Sequence, residues 1–180
     1  MKKVTIRTQV AALLLAGSMA TPALFAAEAK LEINEQRMLN DFLEYTKVRS
    51  QSTKERAFAD VLKARLTKLG AEVSEDEAHK AFDGNTGNIF AYFKGSIQGA
   101  PVMMLNAHID TVEPSEGVEP KIVDGVIRAS GKTILGADDK SGVVAILEAL
   151  TTLKEKSIPH ADILVILTVA EERGMWGAKN

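Results

Sequence analysis

The stretch "DILVILTVAEERG", Asp162 to Gly174, decides the architecture. Its apolar run from Ile163 to Val169 has the length and composition of a buried strand. The run ends in two adjacent carboxylates, Glu171 and Glu172. If the residues stay extended there, neighbouring side chains face opposite ways, so one carboxylate can hold a metal while the other reaches toward a water. A solvated pair of glutamates at a strand end fits the same letters.

Upstream of this strand, "VVAILEALTTLKEK" reads as an apolar helix, and "AEVSE", "NIFAYFKG" and the buried-looking "PVMMLNA" read as strands. "KIVDGVIRA" is a hairpin with Asp124-Gly125 as its two-residue turn. Two helices come first. Asn34 caps "EQRMLNDFLEYTKV", and Ser52 with Glu55 forms a capping box for a second helix. That helix lines one side with Phe58, Val61, Leu62, Leu66 and Leu69 and ends at Gly70. Helices, strands, helix, strand is α/β organisation.

The 180 residues suffice for one ordinary domain, and 46% hydrophobic residues is normal for a packed core. A net charge of -2 with the signs interspersed gives no nucleic-acid surface. Residues 1–29 read as a secretory signal peptide: a basic start, "MKKVTIR", an apolar stretch broken by Gly17 and Pro22, then small residues around Ala26 to Ala29. The expectation is an exported protein, periplasmic or extracellular, without a stable membrane anchor. There is no cysteine, so any metal must be held by His, Asp and Glu.

Three polar clusters follow apolar segments. "LNAHIDTV" places His108 and Asp110 two residues apart at a strand end, with their side chains on the same side. A carboxylate there can accept the second N–H of a metal-binding imidazole, although an H-x-D alone also suits a histidine satisfied locally. "ILGADDKSG" places Asp138 and Asp139 before a helix, where either a helix cap by Asp139 or Ser141 or a carboxylate bridging two cations fits. "TVAEERG" is the third. Their joint occurrence at strand and loop ends favours a ligand site, because open α/β sheets bind beyond the carboxyl ends of their strands. "SGKT", Ser130 to Thr133, is not a phosphate loop: the glycine that pattern needs falls on Val126, and a turn leading into the next strand is expected instead.

"LNAHIDTV", "GADDKSGVVAILEAL" and "LTVAEERGMWGAK" together resemble the zinc-dependent exopeptidases and deacylases, the family of tripeptide aminopeptidase (peptidase T), glutamate carboxypeptidase and aminoacylase. "DGNTGNIFAYFKG", "LGADDKSG" and "AEERG" look most like the peptidase T branch. The resemblance implies a catalytic domain with a mixed sheet flanked by helices, of which residues 30–180 form the N-terminal part, and two zinc ions (Zn2+) per complete site. By position, it implies that His108 binds one zinc, that Asp110 orients His108, and that Asp138 bridges both ions. It implies further that Glu172 binds the second zinc, that Glu171 is the general base, and that Asp139 follows a cis peptide bond. The expected substrate is a short peptide, with a carboxypeptidase, an N-acyl-amino-acid deacylase or a non-catalytic metal-binding remnant as alternatives. A further acidic ligand, a distant histidine and a smaller lid or dimerisation domain are expected beyond Asn180, the last allowing a homodimer. His79 and His160 lie outside the matching contexts and read as surface residues.

Overall fold

In the structure, a computed structural model that describes residues 32–180, Asn34 accepts a hydrogen bond from the Arg37 amide at 2.9 Å. It thereby caps helix α1, Glu35–Lys47. The signal peptide expected at 1–29 lies outside the described residues. Helix α2, Arg56–Leu69, stops at Gly70, whose φ of 108° a residue without a Cβ adopts at little cost. Phe58, Ala59, Leu62 and Leu66 are fully buried on one stripe of α2. Val61, expected on that stripe, is 38% exposed, because the stripe turns toward Ala59 and leaves position 61 on its flank.

The expected capping box at the start of α2 does not form. The helix begins at Arg56, whose amide donates to Asn85 Oδ1 at 3.0 Å. Ser52 and Glu55 turn inward instead, toward groups behind the ends of two strands. The Ser52 hydroxyl donates to the Asp110 carboxylate and Glu55 accepts from the Ala170 amide, so both side chains are engaged away from the helix start.

Four strands form one sheet in the order β1 (Glu72–Glu75), β2 (Ile89–Phe93), β6 (Ile163–Thr168), β3 (Met103–His108). β1 pairs antiparallel with β2, β2 antiparallel with β6, and β3 parallel with β6. The sheet is therefore mixed, with "ILVILT" inside it as its apolar composition requires. Ile163, Val165 and Leu167 share one face with Ile89 and Ala91, all at most 2% exposed. Helix α3, Ala137–Glu155, packs on β3 and α1, and α2 packs on β1 and β2, so this face holds the core. Burying each such aliphatic side chain contributes about 1.5–3 kcal/mol.

β4 (Glu119–Val123) and β5 (Val126–Ser130) form the expected hairpin, with Asp124 at φ 51° and Gly125 at φ 74° in its turn. Two expectations are corrected. "SGKT" passes through a turn to α3, with no strand between. "PVMMLNA" is not buried along its length: Val102, Met103 and Met104 are 56%, 55% and 64% exposed, and cover begins only near Ala107. The cause is position, since among the described residues β3 pairs on one side only, with β6.

Candidate metal centre

The parallel register sets His108 beside Thr168, so β3 and β6 end together. The Ile109 amide donates to the Thr168 carbonyl at 2.9 Å and carries the pairing one residue further. Beyond it Ala170 turns to φ 49°, and Glu171–Arg173 forms a 3-10 turn. Glu171 and Glu172 are therefore not extended, as one reading of the sequence required. The turn, rather than strand alternation, separates their side chains.

Across the sheet end, α3 opens irregularly. Asp138 (φ -87°, ψ 110°) and Asp139 (φ -115°, ψ 35°) are non-helical, and the peptide joining them is cis, as the family resemblance implies. The two aspartates divide the alternatives between them. Asp139 Oδ1 accepts from the Gly142 amide at 3.0 Å and caps the regular helix. Asp138 faces the sheet, with Oδ1 at 3.1 Å from His108 Nε2.

His108, Asp138 and Glu172 each bring one donor atom to a common place, all within 4.8 Å of one another. The other ring nitrogen of His108 faces Asp110, at 3.0 Å from its carbonyl oxygen and 3.4 Å from Oδ1. Asp110 is fully buried. It also accepts from the Ser52 hydroxyl at 2.6 Å and from the Glu171 and Glu172 amides. Glu171 leaves the same turn without joining the three converging donors. His79 and His160 lie half-buried elsewhere, less exposed than expected, and outside this cluster.

Charge at the site is unbalanced toward the negative. Burial pushes the His108 pKa down, but Asp110 and Asp138 push it up harder, to about 9. Burial pushes Asp110 up, and bonds from His108, Ser52 and the two amides outweigh it, leaving its carboxyl below the usual range. Glu172 is raised, first by burial and then by the Asp138, Asp110 and Glu171 charges, against the pull of His108. One imidazole nitrogen with two carboxylates is a donor set that a divalent cation of the zinc type fits.

Four inward-facing residues were not legible as site residues: Ser52, Glu55, Asn88 and Lys140. The Ser-x-x-Glu spacing was visible but matches a capping box. Lys140, 2% exposed, donates to the Tyr45 and Val48 carbonyls at 2.9 and 2.7 Å and lies 4.7 Å from the Phe58 ring centre. Burial lowers its pKa to about 8. It anchors the start of α3, and hence Asp138, to the end of α1. Beside Glu172 opens a cleft of about 230 Å³, lined by Gln51, Ser52, Thr111, Val112, Glu113 and Arg173.

Residues 104–180 match the profile of Peptidase family M20/M25/M40. Over these residues the chain is similar to the M20 peptidases. An uncharacterized protein of Bacillus subtilis is 40% identical over 147 residues, which cover 82% of this chain and 39% of that relative. Peptidase T of Citrobacter koseri is 56% identical over 55 residues, 31% of this chain and 13% of its own. Among solved structures, a tripeptidase from Staphylococcus aureus matches with a TM-score of 0.79 at 43% identity. Aminopeptidase PepT from Bacillus cereus matches with a TM-score of 0.80 at 41% identity. Each of these two matches covers 82% of this chain and 39% of the other, so the chain spans about two fifths of the length of these relatives. The mixed sheet flanked by helices is the M20 catalytic fold, of which the chain holds a part.

Proposed function

We propose that this chain carries part of a two-zinc centre that hydrolyses peptide bonds in short peptides, in the manner of a tripeptide aminopeptidase. The convergence of His108, Asp138 and Glu172 at the shared end of β3 and β6 carries this reading. Likeness at 43% and 41% identity to a tripeptidase and an aminopeptidase favours peptides over other amides. His108, Asp138 and Glu172 would hold zinc, which when bound would supply a Lewis acid for the scissile carbonyl and a lowered pKa for a water beside it.

The chain's own residues do the rest. Asp110 holds the proton on His108 Nδ1, leaving Nε2 free as a donor toward the metal. Asp138, with two carboxylate oxygens, would be the residue able to offer a ligand to each ion. Glu171 takes a proton from the attacking water as its oxygen bonds to the carbonyl carbon, and returns it to the leaving nitrogen as the C–N bond breaks. A carboxylate and a histidine from outside residues 32–180 complete the two ligand sets. The leader in residues 1–29 directs the protein to export, and a smaller domain outside the chain supports dimerisation.

Zinc content and turnover of the full-length gene product test the roles together. Glu171→Gln lowers kcat by about 100-fold or more, the usual contribution of a positioned base, while zinc content stays. His108→Ala and Glu172→Ala lose zinc. Equal zinc loss in all three variants would remove Glu171 from the role of base.

A further inference from the structure

Val169, Ala170, Glu171 and Glu172 are consecutive residues whose backbone amides each donate to a side-chain oxygen from another part of the chain. Val169 donates to Asn88 Oδ1 at 3.1 Å and Ala170 to Glu55 Oε1 at 3.0 Å. Glu171 and Glu172 donate to Asp110 Oδ1 and Oδ2 at 2.9 and 3.1 Å. The three acceptor residues are at most 4% exposed. These amides need outside partners because β6 ends at Thr168 and the first amides of a helical turn have no acceptor within it.

Glu55 stands out among the acceptors. It is fully buried, its Oε1 also accepts from the Thr53 amide at 2.9 Å, and its Oε2 is buried with no partner. A carboxylate half-satisfied in the interior is a costly way to fill space, and an apolar side chain of that size would serve packing better. Its neighbour Ser52 donates to Asp110, so the single segment 52–55 fixes both carboxylates under the turn. The pivot of that turn, Ala170, sits at φ 49°, a region few residues with a Cβ occupy.

We propose that Glu55 is a positioning residue for the metal-binding turn: by holding the Ala170 amide it sets the direction in which Glu171 and Glu172 leave the sheet. Asp110 fixes the two residues after the pivot and Glu55 fixes the pivot. Without it the Glu172 carboxylate no longer meets His108 and Asp138 in advance of the metal. The inference rests on the reading of that turn as a zinc ligand.

Two substitutions separate reach from charge. Glu55→Gln keeps an acceptor oxygen at the same reach and removes the charge, whereas Glu55→Asp keeps the charge and shortens the reach by one methylene. On the full-length gene product, zinc affinity by competition titration is expected to stay within about threefold of wild type in Glu55→Gln and to fall about tenfold or more in Glu55→Asp. Folded fraction is matched by circular dichroism, so a merely structural role would leave affinity unmoved. Glu55→Asp binding zinc like wild type overturns the proposal, as does Glu55→Gln losing as much as Glu55→Asp. Wild-type protein that binds no zinc sinks the metal reading itself, before any variant is compared. A measurement on wild type alone covers a variant that fails to fold: the Ala170 amide is expected to resist hydrogen exchange in zinc-free protein. Unprotected exchange that slows only when zinc is added would mean that the metal, not Glu55, orders the turn.

Discussion

At the scale of single residues, the adjacent aspartates show how one motif serves two purposes. Asp139 spends its side chain on the Gly142 amide, which leaves Asp138 to the cluster with His108. The arrangement depends on Gly142: a Cβ there would lie 2.5 Å from Asp139 Oδ1, closer than real contacts allow. Gly142→Ala is therefore expected to displace the cap and destabilise the protein by about 1–2 kcal/mol, despite the better helix propensity of alanine. Urea unfolding checks the stability, and zinc titration checks whether Asp138 moves with its neighbour. Unchanged or improved stability would mean that Asp139 yields without loss. His108 has a consequence of its own. With its pKa raised to about 9, the ring favours the protonated form at neutral pH in metal-free protein, so a zinc ion binding there would have to displace that proton. Apparent zinc affinity is expected to rise with pH up to about 9, and calorimetry in buffers of different ionisation enthalpy would count the proton released. No release at pH 7 would show that the ring is already neutral.

At the scale of elements, Glu75 joins α2, β1 and the approach to β2. It accepts from Arg56 Nη2 at 2.5 Å, Lys63 Nζ at 2.7 Å, the Thr86 hydroxyl at 2.9 Å and the Gly87 amide at 3.1 Å. Burial pushes its pKa up, but the two cations and the other donors outweigh burial and hold it far below the ordinary 4.5. A depressed carboxylate contributes stability that is present above its unfolded pKa and lost as pH falls through the folded one. The protein is thus expected to weaken as pH drops below about 4.5, and Glu75→Gln to flatten that acid limb while costing about 1–3 kcal/mol at neutral pH. Parallel acid limbs for wild type and variant would assign the loss to other carboxylates. Elements were the most legible level of the sequence. Asn34, Gly70 and Asp124-Gly125 mark helix and hairpin ends through local chemistry, and the structure keeps them. His108, Asp138 and Glu172 each belong to a local motif visible in the sequence, and the structure brings the three together. Glu55 was not, since its partner Ala170 is 115 residues away and a Ser-x-x-Glu spacing has a simpler local meaning. The exposure of Met103 and Met104 was equally hidden, because an apolar run states that a strand wants cover without stating where in the sheet it lies.

At the scale of the whole molecule, the two faces of the sheet differ. Helices cover the face of Ile89, Ala91, Ile163, Val165 and Leu167. The opposite face carries Phe90, Tyr92, Leu164, Ile166 and Met104 in register, and among the described residues it is half-buried at best. Among the described residues β3 pairs on one side only, and Val102 and Met103 at its start are exposed. An apolar face beside an open strand edge is a surface for association. Residues 30–180 prepared alone are therefore expected to self-associate with rising concentration. Met104→Lys, which sets a charge on that face next to the open edge, is expected to shift the population toward monomer in sedimentation velocity. The same substitution at Met175, exposed and beyond the end of β6, serves as the control for added charge. Equal effects of the two would make the association a matter of net charge. No self-association at all would show that β3 and this face tolerate water without a covering partner.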